Sequence, residues 1–264
     1  AAAVMADISL IDRIICTAAR AWINDGEVLA TGIGVVPRLA ASVCMASLNR
    51  DLMMTDSEAW IVREPVPIGP RSGPLGDYQV QRESHMGFAR IFDNVWGGKR
   101  HAMVGPTQVD RFGQANISMV GSDYARPKSM MLGVRGFPGN SINHANSFFV
   151  PNHSPKVFVA GEVDMVASVG YNPARLARGW SLDETVDIRL IVTNLCVMDF
   201  GGADHAVRLR LLHPGVSVEQ VLQATGFPVE VGAGVGTTPD PSADELALLA
   251  RLDPHNLRGS VMAS

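Results

Sequence analysis

The chain has 264 residues, 47% of them apolar and 18% charged, and carries a net charge of −4 at pH 7. That is enough apolar material to bury a sheet beneath helices, yet no run approaches the roughly 18 consecutive apolar residues of a membrane-spanning helix. With no basic cluster longer than Lys99-Arg100-His101, nucleic acid finds no electrostatic footprint, so neither nucleic acid nor membrane is expected as a partner.

At the start, Ala1-Ala2-Ala3-Val4-Met5 lacks the basic region and apolar run of a secretory signal, which points to the cytoplasm. Apolar side chains at helical spacing (Ile8, Ile11, Ile14, Ile15, Ala18) predict a helix over 7–23, with Asp7 and Ser9 as candidate caps. Asn24-Asp25-Gly26 then turns the chain into a short strand, 27–31, which enters Gly32-Ile33-Gly34-Val35-Val36-Pro37. An Ala-rich helix is expected over 38–48, and a buried strand over 51–55 that ends at Asp56-Ser57-Glu58. Strand, glycine turn, helix and strand in that order form the βαβ unit of a parallel sheet.

Segment 63–84 differs: Pro65, Pro67, Pro70 and Pro74 alternate with Gly69, Gly73 and Gly76, which reads as an ordered loop or lid. Beyond it come a short helix near 87–95, a strand at 101–104, and strands separated by glycine turns to about residue 200. Runs 187–200 and 206–212, joined by Gly201-Gly202-Ala203-Asp204, predict a long hairpin. Two capping-box starts, Ser217-Val218-Glu219-Gln220 and Ser242-Ala243-Asp244-Glu245, predict helices. Between them, 232–241 reads as a surface connection within an extended C-terminal tail that begins near 228. The expected fold is one α/β domain over 1–264: an open, mostly parallel sheet with helices on both faces and its site at the carboxyl ends of the strands.

Several chemistries are disfavoured by their motifs. Gly32-Ile33-Gly34-Val35-Val36-Pro37 is two thirds of a dinucleotide fingerprint, but Pro37 stands where the third glycine is needed for close helix–strand packing. A Walker A sequence and a G-x-S-x-G elbow are both absent, which removes P-loop NTPases and ordinary serine hydrolases. Cys16, Cys44 and Cys196 are widely spaced among apolar neighbours and show no C-x-x-C, so buried free thiols in a reducing compartment are expected. His144 and His153 have no carboxylate at helical offset to complete a metal site, and read as hydrogen-bonded or surface histidines. No metal is expected.

Three segments carry a more specific message. They are Thr55-Asp56-Ser57-Glu58-Ala59-Trp60, the block Gly105-Pro106-Thr107-Gln108-Val109-Asp110-Arg111-Phe112-Gly113-Gln114-Ala115-Asn116, and Gly136-Phe137-Pro138-Gly139-Asn140. With the Gly32 to Pro37 turn, Val192-Thr193-Asn194-Leu195, His213-Pro214-Gly215-Val216, Thr225-Gly226-Phe227 and Asp253-Pro254-His255, they run in the order found in one family. The chain resembles, over nearly its whole length, the β subunit of the family I coenzyme A transferases, the glutaconate-transferase-like branch in particular.

The resemblance implies a glutamate nucleophile that attacks an acyl-CoA and then holds CoA as a glutamyl thioester. By position that residue is Glu58, since Ser57-Glu58 matches the first half of the family's Ser-Glu-Asn-Gly, whereas Ala59 and Trp60 replace Asn and Gly. A Trp beside the nucleophile narrows the space in which thioester and incoming carboxylate must meet. Gly136 to Asn140 aligns with the family's glycine-rich turn, where backbone N–H groups stabilise an oxyanion, each donor worth about 2.7–4 kcal/mol. Here Pro138 replaces one glycine and Gly139 is kept. The resemblance thus implies Gly136, Gly139, Asn140, Trp60 and Gln108 as substrate or oxyanion residues, and Gly32, Gly34 and Pro37 as a CoA loop. Coenzyme A enters as part of the substrate, with no covalently bound cofactor.

Two stretches are similar to a narrower branch, the β subunits of steroid ring-degrading CoA-thioester hydrolases: Trp96-Gly97-Gly98-Lys99-Arg100-His101 and Gly133-Val134-Arg135-Gly136-Phe137-Pro138-Gly139-Asn140-Ser141-Ile142-Asn143-His144-Ala145. These add water to a cyclic β-diketone carried on a CoA ester, which needs a general base and donors for the developing enolate. No second carboxylic acid has to enter, so a site crowded by Trp60 is tolerable. The branch implies a homologous α subunit, in an αβ or α2β2 complex, that supplies the decisive base. Three readings stay open here: ring-opening hydrolase subunit, true CoA transferase through Glu58, and a subunit that only completes its partner's site.

Overall fold

The computed structural model describes residues 8–32, 34–55, 60–69, 82–131 and 133–262. Its first unit matches the expected βαβ order. Helix α1 (Leu10–Ala19) is capped by Ser9, whose hydroxyl accepts the Asp12 N–H, and a 3-10 turn, Arg20–Trp22, extends it. Strand β1 (Leu29–Gly32) leads through Gly34 into α2 (Val35–Ser47), which returns to β2 (Met53–Thr55). Helix α2 begins three residues earlier than its Ala-rich stretch suggested, because Gly34, at φ +103°, turns the chain directly into it. Asp7 lies outside the described residues.

After β2 the chain reverses into β3 (Trp60–Val62), then β4 (Arg82–His85) and α3 (Gly87–Trp96). The end of the expected 63–84 loop is therefore a strand, and residues 70–81 of it lie outside the described part. Strand β5 (Arg100–Val104) follows, then two small ribbons, β6 (Gln108–Val109) with β7 (Ala115–Asn116) and β8 (Met119–Val120) with β9 (Ser129–Met130). Helix α4 (Phe137–Asn143) leads into β10 (Ala145–Val150), and α5 (Leu182–Thr185) precedes β11 (Ile188–Thr193). The remainder is β12 (Cys196–Asp199), β13 (Arg208–Leu212), α6 (Val218–Ala224), β14 (Glu230–Thr237) and α7 (Ala243–Leu252).

Ten strands form one sheet in the order β14-β13-β12-β11-β10-β5-β1-β2-β3-β4. Its centre, β11-β10-β5-β1-β2, is parallel throughout, and the reversals are at β12 and β3. Two-residue alternation sorts the side chains onto two cores. Phe149, Val192 and Val197 face α1, α2 and α7, whereas Phe148, Val150, Ile191, Cys196 and Met198 face Phe137 of α4, Val221 of α6 and the segment carrying Phe158. Helices thus cover both faces, as expected.

Two expectations fail for identifiable reasons. Run 187–200 is not one strand: the Thr193 hydroxyl accepts the N–H groups of Leu195 and Cys196, both at 3.0 Å, and turns the chain so that β11 and β12 pair antiparallel. The long hairpin becomes two short ones. Segment 232–241, read as a surface connection, supplies most of β14, which pairs parallel to β13 along the sheet's exposed border. Its glycines hide the strand pattern. The C-terminal region is pinned to α1 by Arg258, which donates to Asp12 (2.7 Å) and Asp253 (3.0 Å).

Candidate active site

Open parallel sheets present ligand crevices at the carboxyl ends of their strands, where connections leave in opposite directions. Here that place is the carboxyl edge of β1 and β5, because β1 continues through α2 to β2 on one side and β5 is paired on the other. Gly32 ends β1, and Gly34 stands as the N-cap of α2 without a side-chain cap. Pro37 is buried in the first turn, where the lack of an N–H costs nothing because first-turn donors have no intrahelical acceptor. The three expected CoA-loop residues thus share one strand-to-helix turn at this edge.

Glu58 falls on 56–59, outside the described residues, but both ends of that segment are fixed. Thr55 closes β2 and pairs with Ile61; Trp60 opens β3 and pairs with His85. A slip in register at Val62, which pairs with Arg82, brings Arg82 and His85 to the same face of β4 although they are three residues apart. The ring of Trp60 is tilted against His85 at 4.7 Å between centroids, and the Arg82 guanidinium lies over it at 5.0 Å. Trp60 is therefore the middle of a cation–indole–imidazole cluster beside the Glu58 segment. His85 was not singled out in the sequence, because only the β3–β4 pairing makes it Trp60's neighbour.

The turn at Gly136 belongs to α4. Phe137 at its start packs edge-on against Phe148 in the second half of β10, at 6.3 Å, so the helix's N-terminal end points toward the carboxyl edge. The Phe137 N–H is taken by the Val134 carbonyl and Pro138 has none, which leaves the Gly139 amide as the next donor in that turn. Gly139 is held from behind, its carbonyl accepting from Asn143 at 2.7 Å, and the Asn140 carbonyl accepts from Asn146 at 3.0 Å. The side-chain oxygen of Asn140 is buried with no hydrogen-bond partner among the described residues.

Gln108 is placed differently. It is buried, and its amide is used at both ends: the nitrogen donates to Asp164 (3.0 Å) and the oxygen accepts from Asn116 (2.7 Å) and from the Asp164 N–H (3.0 Å). That network ties β6 and β7 to the segment carrying Asp164. His153 is likewise internal, with Thr193 and Thr225 hydroxyls on its two ring nitrogens at 3.1 and 2.9 Å, and burial pushes its pKa down to about 4. The thiols of Cys16, Cys44 and Cys196 are buried and pushed up to about 12 by desolvation.

A cavity of about 360 Å³ lies at the opposite, amino edge, lined by Asp25, Lys99, His101, His144, Asp187 and Arg189 among others, and no expected site residue borders it. On its floor His101 bridges Asp25 (2.6 Å) and Ser147 (2.9 Å). The order of groups is that of a hydrolase triad, but Ser147 is fully buried on the central strand β10, out of reach of an acyl group. The chain of bonds is better understood as a lock between β5, β10 and the turn after α1.

No family model matches the sequence. Over 240 residues, 88% of each chain, it is 38% identical to the cholesterol ring-cleaving hydrolase IpdB subunit of Rhodococcus jostii (strain RHA1). It is 27% identical over 252 residues, 92% of each chain, to a subunit of the 3-oxoadipate CoA-transferase of Pseudomonas knackmussii. The crystal structure of Rhodococcus jostii RHA1 IpdAB contains a chain that superposes with a TM-score of 0.87 at 34% identity, covering 98% of the present chain and all of the other.

Proposed function

The chain belongs to the family of the cholesterol ring-cleaving hydrolase IpdB subunits, within the CoA-transferase fold, and from that membership we propose that it is the β subunit of a heteromeric hydrolase acting on acyl-CoA thioesters. The reaction is hydrolytic opening of a cyclic diketone ring, steroid-derived, carried on a CoA ester. The chain works with a homologous α subunit that completes the site.

The observation that carries the choice of hydrolysis over transfer is Trp60. Transfer requires room for a second carboxylic acid at the Glu58 thioester, and Ala59-Trp60 fills the position where the transferases have Asn-Gly. With His85 against its ring and Arg82 over it, the indole is braced from its own sheet. Water needs no such room. Glu58 then orients water or substrate, the α2 turn at Gly32, Gly34 and Pro37 receives the CoA portion, and the Gly136, Gly139 and Asn140 turn offers donors to the enolate oxygen. Retained Glu58 and the similarity to a transferase chain favour the second reading, CoA transfer through a glutamyl thioester.

A mass-spectrometric experiment separates the two. The αβ complex is incubated with an acyl-CoA, digested, and the Glu58 peptide examined. Hydrolysis predicts no CoA-derived mass on it, and Glu58→Ala reduces turnover without erasing it. A borohydride-sensitive glutamyl-CoA thioester at Glu58 would restore the transferase assignment.

A further inference from the structure

We propose, on the hydrolase reading above, that Arg135 is the cation that holds the enolate oxygen formed in ring opening. Val134, Arg135, Gly136 and Phe137 make a tight turn, closed by the Phe137 N–H on the Val134 carbonyl at 3.1 Å. Arg135 stands at φ +53° and Gly136 at φ −84°, ψ 2°. A positive φ at the first central residue alone is the pattern of a type II′ turn, where glycine belongs at that first position. Here the glycine comes one place late, and an arginine carries the left-handed conformation at a steric cost. The other non-glycine residues with positive φ among the described ones are Asp204, His205 and Asn256, the types that adopt it most readily. Strained residues of this kind persist where the side chain serves a purpose that glycine cannot.

The guanidinium is not spent on structure. Arg63, Arg175, Arg189, Arg208 and Arg258 are each paired with carboxylates. Arg135 is exposed and makes no ion pair or hydrogen bond among the described residues. Its turn is nevertheless firmly seated, because Val134 and Phe137 on either side pack into the core that contains Phe148 of β10. That seat is the end of α4 nearest the carboxyl edge, and the Gly139 amide follows within the first turn of the helix. A neutral amide can donate to an enolate oxygen but cannot neutralise it. An arginine beside it adds a permanent positive charge and several N–H donors.

The step balances with water alone. A base of the αβ complex takes a proton from water as the water oxygen bonds to one carbonyl carbon of the diketone. The bond from that carbon to the carbon between the two carbonyls then breaks. Its electron pair passes into the second carbonyl as an enolate, with the charge on oxygen. Arg135 donates to that oxygen and keeps its own proton throughout. The base returns the proton to the enolate carbon, leaving a carboxylic acid and a ketone on an opened chain.

The test uses the assembled αβ complex and a synthetic acyl-CoA that bears a cyclic β-diketone and no carboxylate. Arg135→Gln is expected to lower kcat by about 10²–10³-fold, the range for loss of an oxyanion donor, with KM changed far less. Arg135→Lys keeps the charge and should retain more activity than the glutamine variant. Arg135→Gly relieves the turn, so it should melt no lower than the wild type and still be as slow as Arg135→Gln. A CoA ester carrying a phenol in place of the diketone, which cannot be opened, gives a readout apart from turnover. Its bound phenolate, followed by absorbance against pH, should form about 1–3 pH units lower on the wild type than on Arg135→Gln, because a nearby cation favours the anion. If the wild type hydrolyses the probe and Arg135→Gln keeps both its rate and its phenolate midpoint, the proposal is wrong. It is equally wrong if the variant leaves that midpoint in place and weakens plain CoA as much as the diketone probe, for Arg135 would then read the CoA phosphates. If the wild type moves CoA to an added carboxylic acid and leaves the diketone ring closed, the hydrolase reading itself falls and the enolate contact with it.

Discussion

Thr193 shows how one side chain organises this protein. Its hydroxyl caps the turn between β11 and β12 and also meets His153, while its carbonyl accepts from the Nε2–H of His213 at 2.9 Å. Both histidines have pKa values lowered by burial, His153 to about 4 from an ordinary 6.5. The folded state therefore disfavours their protonation. Unfolded chain binds these protons first as pH falls, so stability is full above about 6.5 and declines between there and about 4, by on the order of 3 kcal/mol for His153 alone. Denaturant midpoints at pH 7 and pH 5 should show that decline. His153→Leu should be less stable at pH 7 by about 1–3 kcal/mol, from the lost threonine bonds, yet flatter with pH. An equally steep pH dependence in the variant would remove His153 as its source. The sequence left His153 as hydrogen-bonded or surface, and it could not name the threonines, which come from 40 and 72 residues away.

Elements were legible where their signals are local. Both capping boxes form as expected, Ser217 with Gln220 and Ser242 with Glu245, because each needs only four adjacent residues. What escaped was set by tertiary partners: the break at Thr193, the glycine-rich β14 that needs β13 beside it, and β4, whose pairing sets His85 against Trp60. Two predictions belong at this scale. Ser242→Ala removes the α7 cap and should cost about 1 kcal/mol, lowering Tm by about 2–4 °C. Gly170→Ala should be far worse. At φ +53° a β-carbon there meets the Phe112 carbonyl and the Gln114 amide, backbone on both sides that cannot swing away. A loss of about 3 kcal/mol or more is expected, seen as a collapse in soluble yield or Tm; a variant within about 1 kcal/mol of wild type would show that this β6–β7 turn can move.

At the scale of the whole molecule, the parallel centre of the sheet was legible from one βαβ unit, and the assignment of chemistry to its carboxyl edge follows from topology. Yet that edge, on this chain alone, holds a divided set of groups. It offers a helix N-terminus at Gly34, the Gly139 amide and the Trp60 cluster, but Gln108 is spent on internal bonds, and the cavity of about 360 Å³ is at the far edge. A crevice that must hold an acyl-CoA needs a second wall, and the solved relative is a two-subunit enzyme, IpdAB. The chain by itself should therefore bind acyl-CoA weakly and turn over the β-diketone probe at no measurable rate. Titrating in the homologous α subunit should restore hydrolysis along a curve that saturates at one α per β, with the mass of the active species read by light scattering. No helix among the described residues is long and apolar enough to cross a membrane, and the titration is run without lipid or detergent. Full-rate turnover by the purified chain, before any α subunit is added, would place the whole site on this one polypeptide and reject the divided arrangement.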